Sequence, residues 1–269
     1  MKRPDVALDL EVYPNYVLIA FKQVGKNGVM RFELIGEDSS LTKEDKSKMV
    51  RLLRSARVFG FNSLSYDLPL ILSALQGCSA SEICKRGNDI IQEEQPHYYT
   101  MRKLGLETPQ YLSHFDIKEV AIGVMVSLKL YGGRMNAPKL QDLPIAPNTL
   151  LTPEQMRLIS LYNVNDLDTT IMLYQEIKEA IDLRTELTAQ YGIDLMSKSD
   201  AQVAEHLITH QVSKLRGKPV LKPNGMMTHV SYKVPEYIEF RTPVLQTALD
   251  FIRSLQHRCS KLNVFGHFV

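Results

Sequence analysis

Short apolar runs and charged, helix-like stretches alternate along most of the chain. The run from Val6 to Leu10 predicts a first strand, and the runs at 16–21 and 29–34 predict a second and a third. The last two are joined by the turn residues 25–28, which are typical of a hairpin. A further apolar run at 57–62 predicts a buried fourth strand. The chain is therefore expected to open with an antiparallel meander.

Periodic stretches with polar caps predict the helices. Thr42 is the expected N-cap of a charged helix over residues 43–55. Thr152 and Pro153 are typical of a helix start, and the apolar spacing after them continues toward Ile181. Because this pattern exceeds the usual length of a globular helix, we expect a break near Asp166. Further helices are predicted at residues 66–76, 199–215 and 242–255.

The middle of the chain predicts one more strand with a helix after it. Residues 113–117 are short and apolar enough to form a fifth strand. The next helix is expected to run through Leu130 and to stop at Gly132 and Gly133. A meander followed by strands that alternate with helices indicates an α/β fold, with a mixed sheet flanked by helices.

Composition limits the class of protein. The chain has 269 residues, 44% of them hydrophobic and 23% charged, which is typical of a soluble globular protein. We predict one domain over residues 1–195 and a mainly helical C-terminal extension over 196–269. The net charge is only +2, so nucleic-acid binding would have to come from local patches.

No apolar stretch reaches the ~18 residues of a membrane span. The three cysteines lack metal-site spacing, and no secretory segment is recognised, so we expect a cytoplasmic protein.

Two acids stand at the end of the first predicted strand. Asp9 and Glu11 are two positions apart, so they point to the same face of that strand. Two carboxylates ~4 Å apart repel each other by on the order of 4 kcal/mol at an effective dielectric constant near 20. A bound Mg²⁺ or Mn²⁺ would neutralise them, because these cations prefer oxygen ligands. Alternatively, Glu11 simply begins the turn that follows.

Two later stretches add acids in matching structural contexts. Asp67 lies where the fourth strand passes into a helix, at the strand end where open α/β sheets bind ligands. Tyr162 and Asp166 are four residues apart and share a helix face, whereas Asp168 faces elsewhere. Helix capping would equally explain Asp67. A structural hydrogen bond would equally explain the pair of Tyr162 and Asp166.

Taken together, these stretches resemble the three exonuclease motifs of the DEDD superfamily of 3′–5′ exonucleases, in its tyrosine-bearing branch. The matching residues are Asp9-x-Glu11, Asn62-x-x-x-Tyr66-Asp67 and Tyr162-x-x-x-Asp166. The branch includes the proofreading domains of DNA polymerases, and residues 9–16 are similar to the exonuclease regions of bacteriophage DNA polymerases. The resemblance covers residues 5–180 and implies an RNase H-like fold. It also implies a role in DNA replication, in the host bacterial cytoplasm if a phage encodes the protein.

The resemblance implies specific roles for five residues. Asp9 would bridge two divalent cations, Mg²⁺ or Mn²⁺, while Glu11 and Asp166 would complete the first cation site. Asp67 would help to hold the second cation. Tyr162 would orient the attacking water or hydroxide. Two cations together suit the hydrolysis of a phosphodiester bond by in-line displacement.

Several residues beside the acids are candidates for substrate binding. Leu10, Phe61 and Tyr66 could stack on or wedge against terminal bases, although ordinary core packing would also explain them. Asn62 could contact the terminal nucleotide or a carboxylate. Lys139 could contact the nucleic-acid backbone.

Four functional hypotheses follow. The first is a 3′–5′ exonuclease acting on single-stranded DNA ends, either free-standing or as the proofreading subunit of a polymerase on a separate chain. The second is trimming of RNA 3′ ends, since discrimination would depend on contacts to the 2′-hydroxyl. The third is a non-catalytic module that binds nucleic acid or docks on a polymerase, which the intact set of acids disfavours. The fourth is a nuclease that cuts internally, which Tyr162 disfavours.

Overall fold

The computed structural model describes residues 3–121, 126–220, 230–231, 235, 237–254, 256–257, 263–264 and 267–268. The strands within them are β1 (Asp5–Tyr13), β2 (Tyr16–Gln23), β3 (Val29–Ile35), β4 (Arg57–Gly60), β5 (Ser113–Asp116), β6 (Val230–Ser231), β7 (Gln256–His257), β8 (Asn263–Val264) and β9 (His267–Phe268). The helices are α1 (Lys43–Ser55), α2 (Asp67–Gln76), α3 (Ala80–Glu93), α4 (His97–Lys103), α5 (Leu128–Arg134), α6 (Pro153–Glu176), α7 (Lys178–Tyr191), α8 (Asp200–Arg216) and α9 (Pro243–Ser254).

Five strands form one mixed sheet in the order β3-β2-β1-β4-β5. Strands β1, β2 and β3 pair antiparallel as the predicted meander, whereas β4 is parallel to both β1 and β5. Helices flank this sheet. The predicted α/β class with a mixed sheet is therefore confirmed.

Alternation along β1 sends its side chains to two separate cores. Leu8 and Leu10 pack on one face with apolar residues of α1, α2 and α3. Ala7 and Tyr13 pack on the opposite face with residues of α5, α6 and α7. Asp9 and Glu11 lie two and four residues after Ala7, so their side chains point to the same face of β1. This is the face that α6 covers.

The predicted helix starts are confirmed at two caps. The side chain of Thr42 accepts a hydrogen bond from the backbone N–H of Asp45. Thr152 and Gln155 form a reciprocal capping box at the start of α6. Each cap satisfies backbone donors that have no partner within the first turn.

The position predicted for a break in the long helix is wrong. Helix α6 continues through Asp166 to Glu176, and the interruption falls at Ile177, before α7. The buried residues Ile159, Leu167 and Ile171 keep one apolar face along α6, so packing on the sheet sustains the helix.

The predicted stop at Gly132 and Gly133 is also wrong. Ser127 caps α5, which passes through both glycines to Arg134. A Cβ on Gly132 would lie 3.1 Å from Cγ2 of Thr169 in α6. The glycine thus allows close approach of two helices rather than ending one. The helix predicted directly after β5 is likewise wrong where it can be compared, because residues 118–121 and 126–127 are not helical, and residues 122–125 lie outside the described residues.

Contacts between Cα atoms divide the chain into two compact units, Met1–Thr209 and His210–Val269. The first unit holds the five-stranded sheet. The described part of the second unit contains α9 and two short antiparallel pairs, β6 with β7 and β8 with β9. Within the described residues, no helix combines the length and the apolar character that a membrane span requires.

Candidate metal centre

Three carboxylates from β1 and α6 lie together. Oxygen atoms of Asp9, Glu11 and Asp166 are all within 4.8 Å of one another. Glu11 is only 8% exposed, and the other two are half-buried. The period of β1 points the first two toward α6, and the packing of α6 on that face brings the third to them. This cluster could hold a metal ion.

A fourth carboxylate, Asp67, lies near this group without belonging to the set whose oxygen atoms are all within 4.8 Å. Asp67 is the first residue of α2 and is 5% exposed. Its charge is among those that raise the pKa values of Asp9 and Glu11, so it lies within electrostatic reach of both. The backbone of Leu10 lowers the pKa values of both Asp9 and Asp67 in part, which places the two carboxylates near the same backbone group. The structure therefore brings Asp9, Glu11 and Asp166 together and places Asp67 within electrostatic reach of the first two.

The raised pKa values of the acids show that ionisation is unfavourable at this site. Burial, followed by the charges of Glu11, Asp67 and Asp166, raises the pKa of Asp9 well above its usual range. Burial is also the first cause for Glu11, followed by the charge of Asp166. For Asp67, burial and then the charge of Asp116 raise the pKa to about 7. Each acid thus favours protonation unless a positive charge is nearby.

Within the part of the chain that the structure describes, no salt bridge from lysine or arginine supplies that positive charge. Across residues 3–121 and 126–220, the salt bridges involve other carboxylates than these four. Buried carboxylates without cationic partners are the donor set that Mg²⁺ and Mn²⁺ prefer. The chemistry of the site therefore fits a divalent cation.

Tyr162 lies one helical turn before Asp166 and interacts with it. Hydrogen bonding with Tyr162 lowers the pKa of Asp166 in part, although burial raises it overall. Burial and then the charge of Asp166 raise the pKa of Tyr162. The phenol is consequently protonated at neutral pH and can act as a hydrogen-bond donor or acceptor beside the acids.

Asn163 is a component of the site that the sequence analysis missed. It is fully buried, and its Nδ2 donates a hydrogen bond of 2.7 Å to Oδ2 of Asp9. Hydrogen bonding with Asn163 also lowers the pKa of Glu11 in part. A signal was present in the sequence, because Asn163 interrupts the apolar spacing of Ile159 and Leu167 on one helix face.

Asp168 faces away from the centre, as its position on the helix predicted. Its carboxylate forms a salt bridge with Lys22 on β2. It is thus a natural control for Asp166, since both are acids on the same helix two residues apart.

Two cavities border the acids and contain several of the predicted substrate residues. One, of about 190 Å³, is lined by Tyr162 and Asp166 together with Lys139, which is exposed. The other, of about 210 Å³, is lined by Glu11, Leu10 and Tyr66. The Leu10 side chain also packs in the core, where it is 7% exposed.

The remaining two predicted substrate residues have partners within the protein. Phe61 is half-buried and meets the ring of Tyr131 edge-on, with centroids 5.9 Å apart. Asn62 accepts a hydrogen bond of 2.9 Å from Nζ of Lys118 through its side-chain oxygen. The structure shows neither of these side chains hydrogen-bonded to one of the four acids.

Comparison with protein-family models, curated proteins and solved structures found no significant match to this chain. The function of the chain is therefore inferred from the geometry of the candidate metal centre and from the resemblance of its motifs.

Proposed function

We propose that this protein is a metal-dependent 3′–5′ exonuclease with an RNase H-like domain, of the tyrosine-bearing branch of the DEDD superfamily. The topology of the sheet supports the fold assignment, because a meander of three antiparallel strands is extended by two parallel strands. Fold alone does not define an activity, so the proposal depends on the site.

The observation that carries the proposal is the convergence of Asp9, Glu11, Asp67 and Asp166. They come from three distant parts of the chain and meet in a partly buried site where their charges oppose one another. Such a cluster of negative charges is unfavourable in the metal-free protein. It is expected where a bound cation neutralises the repulsion.

These four carboxylates would hold two divalent cations, Mg²⁺ or Mn²⁺. Asp9 would contribute to both sites, with Glu11 and Asp166 at the first and Asp67 at the second. When bound, such a pair activates a water on one side of a phosphodiester and stabilises the leaving oxygen on the other. Asn163 would keep the carboxylates of Asp9 and Glu11 in place through its hydrogen bonds.

Tyr162 would position the attacking water. Its phenol lies beside Asp166 and stays protonated, so it offers a fixed polar group and no negative charge that would repel the substrate. Positioning through one neutral hydrogen bond contributes about 1 kcal/mol, which is less than expected from a metal ligand.

The two cavities beside the acids support a single-stranded substrate. Tyr66 and Leu10 supply an aromatic and an apolar wall next to Glu11, as proteins that bind single strands use for base stacking. Lys139 lies in the cavity of Tyr162, where its ammonium could contact a phosphate. We propose the 3′ end of single-stranded DNA as the substrate. A DNA polymerase on a separate chain would be the partner in proofreading, within the cytoplasm.

A direct test uses single-stranded DNA and RNA labelled at either end, incubated with the purified chain and Mn²⁺, Mg²⁺ or EDTA. Stepwise shortening from the 3′ end of DNA that stops with EDTA is the expected result. Faster shortening of RNA would change the substrate class, and internal cuts would contradict an exonuclease.

Variants then test the assigned roles. Asp9→Asn and Asp67→Asn are expected to reduce turnover to background, whereas the control Asp168→Asn should remain close to wild type. Tyr162→Phe should slow turnover by about fivefold, because it removes one positioning hydrogen bond of about 1 kcal/mol. Near-wild-type rates for Asp9→Asn or Asp67→Asn would refute the site.

A further inference from the structure

A fifth acid, Asp116, lies at the end of β5 and binds backbone rather than side chains. It is 3% exposed, and its Oδ1 accepts hydrogen bonds of 2.9 Å from the N–H groups of Asn62 and Lys118. Its Oδ2 accepts a third bond, also of 2.9 Å, from the N–H of Leu64. Both oxygens are thus engaged by backbone donors. Asp116 is therefore suited to hold a loop and poorly suited to bind a cation.

The loop that Asp116 binds is the segment between β4 and α2. Asn62 has a φ of 61°, in the left-handed region that costs an ordinary residue roughly 1–2 kcal/mol. The N–H groups of Asn62 and Leu64 both point to the carboxylate, and Lys118 anchors the Asn62 side chain. The buried carboxylate can hold this turn because hydrogen bonds to a charged group are stronger than neutral ones.

Close packing leaves the same loop little room for another conformation. A Cβ on Gly60 would lie 2.6 Å from Cβ of Ser63 and 2.9 Å from the carbonyl oxygen of Leu8. Ser63 is fully buried, and its hydroxyl is 2.9 Å from Nε2 of His114 on β5. The loop therefore lies directly on β1 and β5.

The loop leads without interruption into the residue that completes the metal centre. The carbonyl of Ser63 accepts a hydrogen bond of 2.8 Å from the N–H of Leu68, in the first turn of α2. Asp67 stands between these two residues at the start of that helix. The conformation of the loop consequently sets where the Asp67 carboxylate lies relative to Asp9.

We propose that Asp116 is a positioning residue that builds the second cation site, by fixing the loop that presents Asp67 to the other acids. This inference rests on the proposed function, since it assigns Asp67 to a bound cation. It predicts that losing the Asp116 carboxylate weakens one cation site and leaves the other intact.

The test is a titration of the full chain with Mn²⁺, followed by electron paramagnetic resonance and by calorimetry. The variant Asp116→Asn keeps the size of the side chain but presents an NH₂ group to at least one backbone N–H. We expect wild type to bind two Mn²⁺ ions. Asp116→Asn should bind one of them about 10- to 100-fold more weakly, which is the usual effect of removing a supporting group, and the other unchanged.

Asp5→Asn is the matched control. Asp5 accepts hydrogen bonds from Arg57 and from the hydroxyl of Tyr174 at the opposite end of β1, so its loss should lower thermal stability. Both Mn²⁺ affinities should nevertheless remain those of wild type. A merely structural role for Asp116 would make the two variants behave alike.

A second variant covers the case in which Asp116→Asn does not fold. Lys118→Met removes the anchor of Asn62 from a half-buried position and should weaken the same Mn²⁺ site by a smaller factor. If the folded Asp116→Asn protein, or Lys118→Met in its place, binds both ions with wild-type affinity, the role of Asp116 is refuted.

The titration also separates this inference from the proposed function. Wild-type protein that binds two Mn²⁺ ions but degrades no nucleic acid would contradict the exonuclease alone, and the variants would still decide the role of Asp116. Wild-type protein that binds fewer than two ions would overturn both.

Discussion

Asn163 and Asp9, 154 positions apart in the sequence, are joined by a hydrogen bond of 2.7 Å from Nδ2 to Oδ2. Asn163 is fully buried on α6, and Asp9 projects from the central strand of the sheet. The bond therefore fixes α6 to β1 at the point where the carboxylates of Asp9, Glu11 and Asp166 meet. One amide thus links the packing of α6 on β1 to the candidate metal centre.

Replacing Asn163, alone and together with Asp9, should show how much of its contribution to stability depends on the hydrogen bond to Asp9. Asn163→Ala is expected to destabilise the protein by about 1–3 kcal/mol, because it leaves a buried carboxyl oxygen of Asp9 without its hydrogen-bond donor. In an Asp9→Ala background the same substitution should cost less, because its acceptor is gone. Chemical denaturation of the four proteins in this double-mutant cycle measures the coupling. Additive effects would contradict the link.

Cation binding should stabilise the folded protein. At a Mn²⁺ concentration 100 times the dissociation constant, binding contributes about 2.7 kcal/mol, which corresponds to a rise in Tm of about 5–10 °C. Thermal unfolding with and without Mn²⁺ measures the shift. Asp166→Asn should lose most of it. Asp168→Asn should keep it in full, even though loss of the ion pair with Lys22 lowers its starting Tm. Equal shifts in the two variants would place the cation elsewhere.

The metal-free protein should become less stable as the pH rises through neutrality. Burial, and then the charge of Asp116, raise the pKa of Asp67 to about 7 in the folded state. Its usual value in an unfolded chain is about 3.9. The folded state therefore binds this proton more tightly, so its contribution to stability is present below pH 4 and is lost as the pH rises through about 7.

Asp67→Asn removes this dependence. With EDTA present, the variant should gain stability relative to wild type at pH 8, by at most about 4 kcal/mol, and gain less at pH 5. Thermal unfolding at both pH values measures the difference. A stability difference that is the same at pH 5 and pH 8 would show that the pKa of Asp67 is not raised.

The left-handed conformation of Asn62 leads to a comparison of two substitutions. Asn62→Gly and Asn62→Ala both lose the contact with Lys118, but only alanine resists a φ of 61°. We expect Asn62→Ala to be less stable than Asn62→Gly by about 1 kcal/mol, measured by chemical denaturation. Equal stabilities would mean that the turn changes conformation when the side chain is lost.

Local periodicity was sufficient to predict much of the sheet and two pairs of neighbouring side chains at the candidate site. The alternation along β1 placed Asp9 and Glu11 on one face, and helical spacing placed Tyr162 beside Asp166 and turned Asp168 away. These relations follow from the geometry of a single element, which a few consecutive residues define. For the same reason, the caps at the starts of α1 and α6 were predictable.

Packing between distant elements determined the features of the structure that local periodicity could not predict. The uninterrupted course of α6 through Asp166 depends on the sheet beneath it, and Gly132 lies within α5 where Thr169 of α6 packs closely against it. Asn163 and Asp116 owe their roles to partners from other elements, on β1 and in the loop after β4. The amino-acid sequence by itself determined which acids share a strand or a helix. Only the tertiary structure brought Asp67 to Asp9, because strand pairing and helix packing set distances between residues that no local pattern relates.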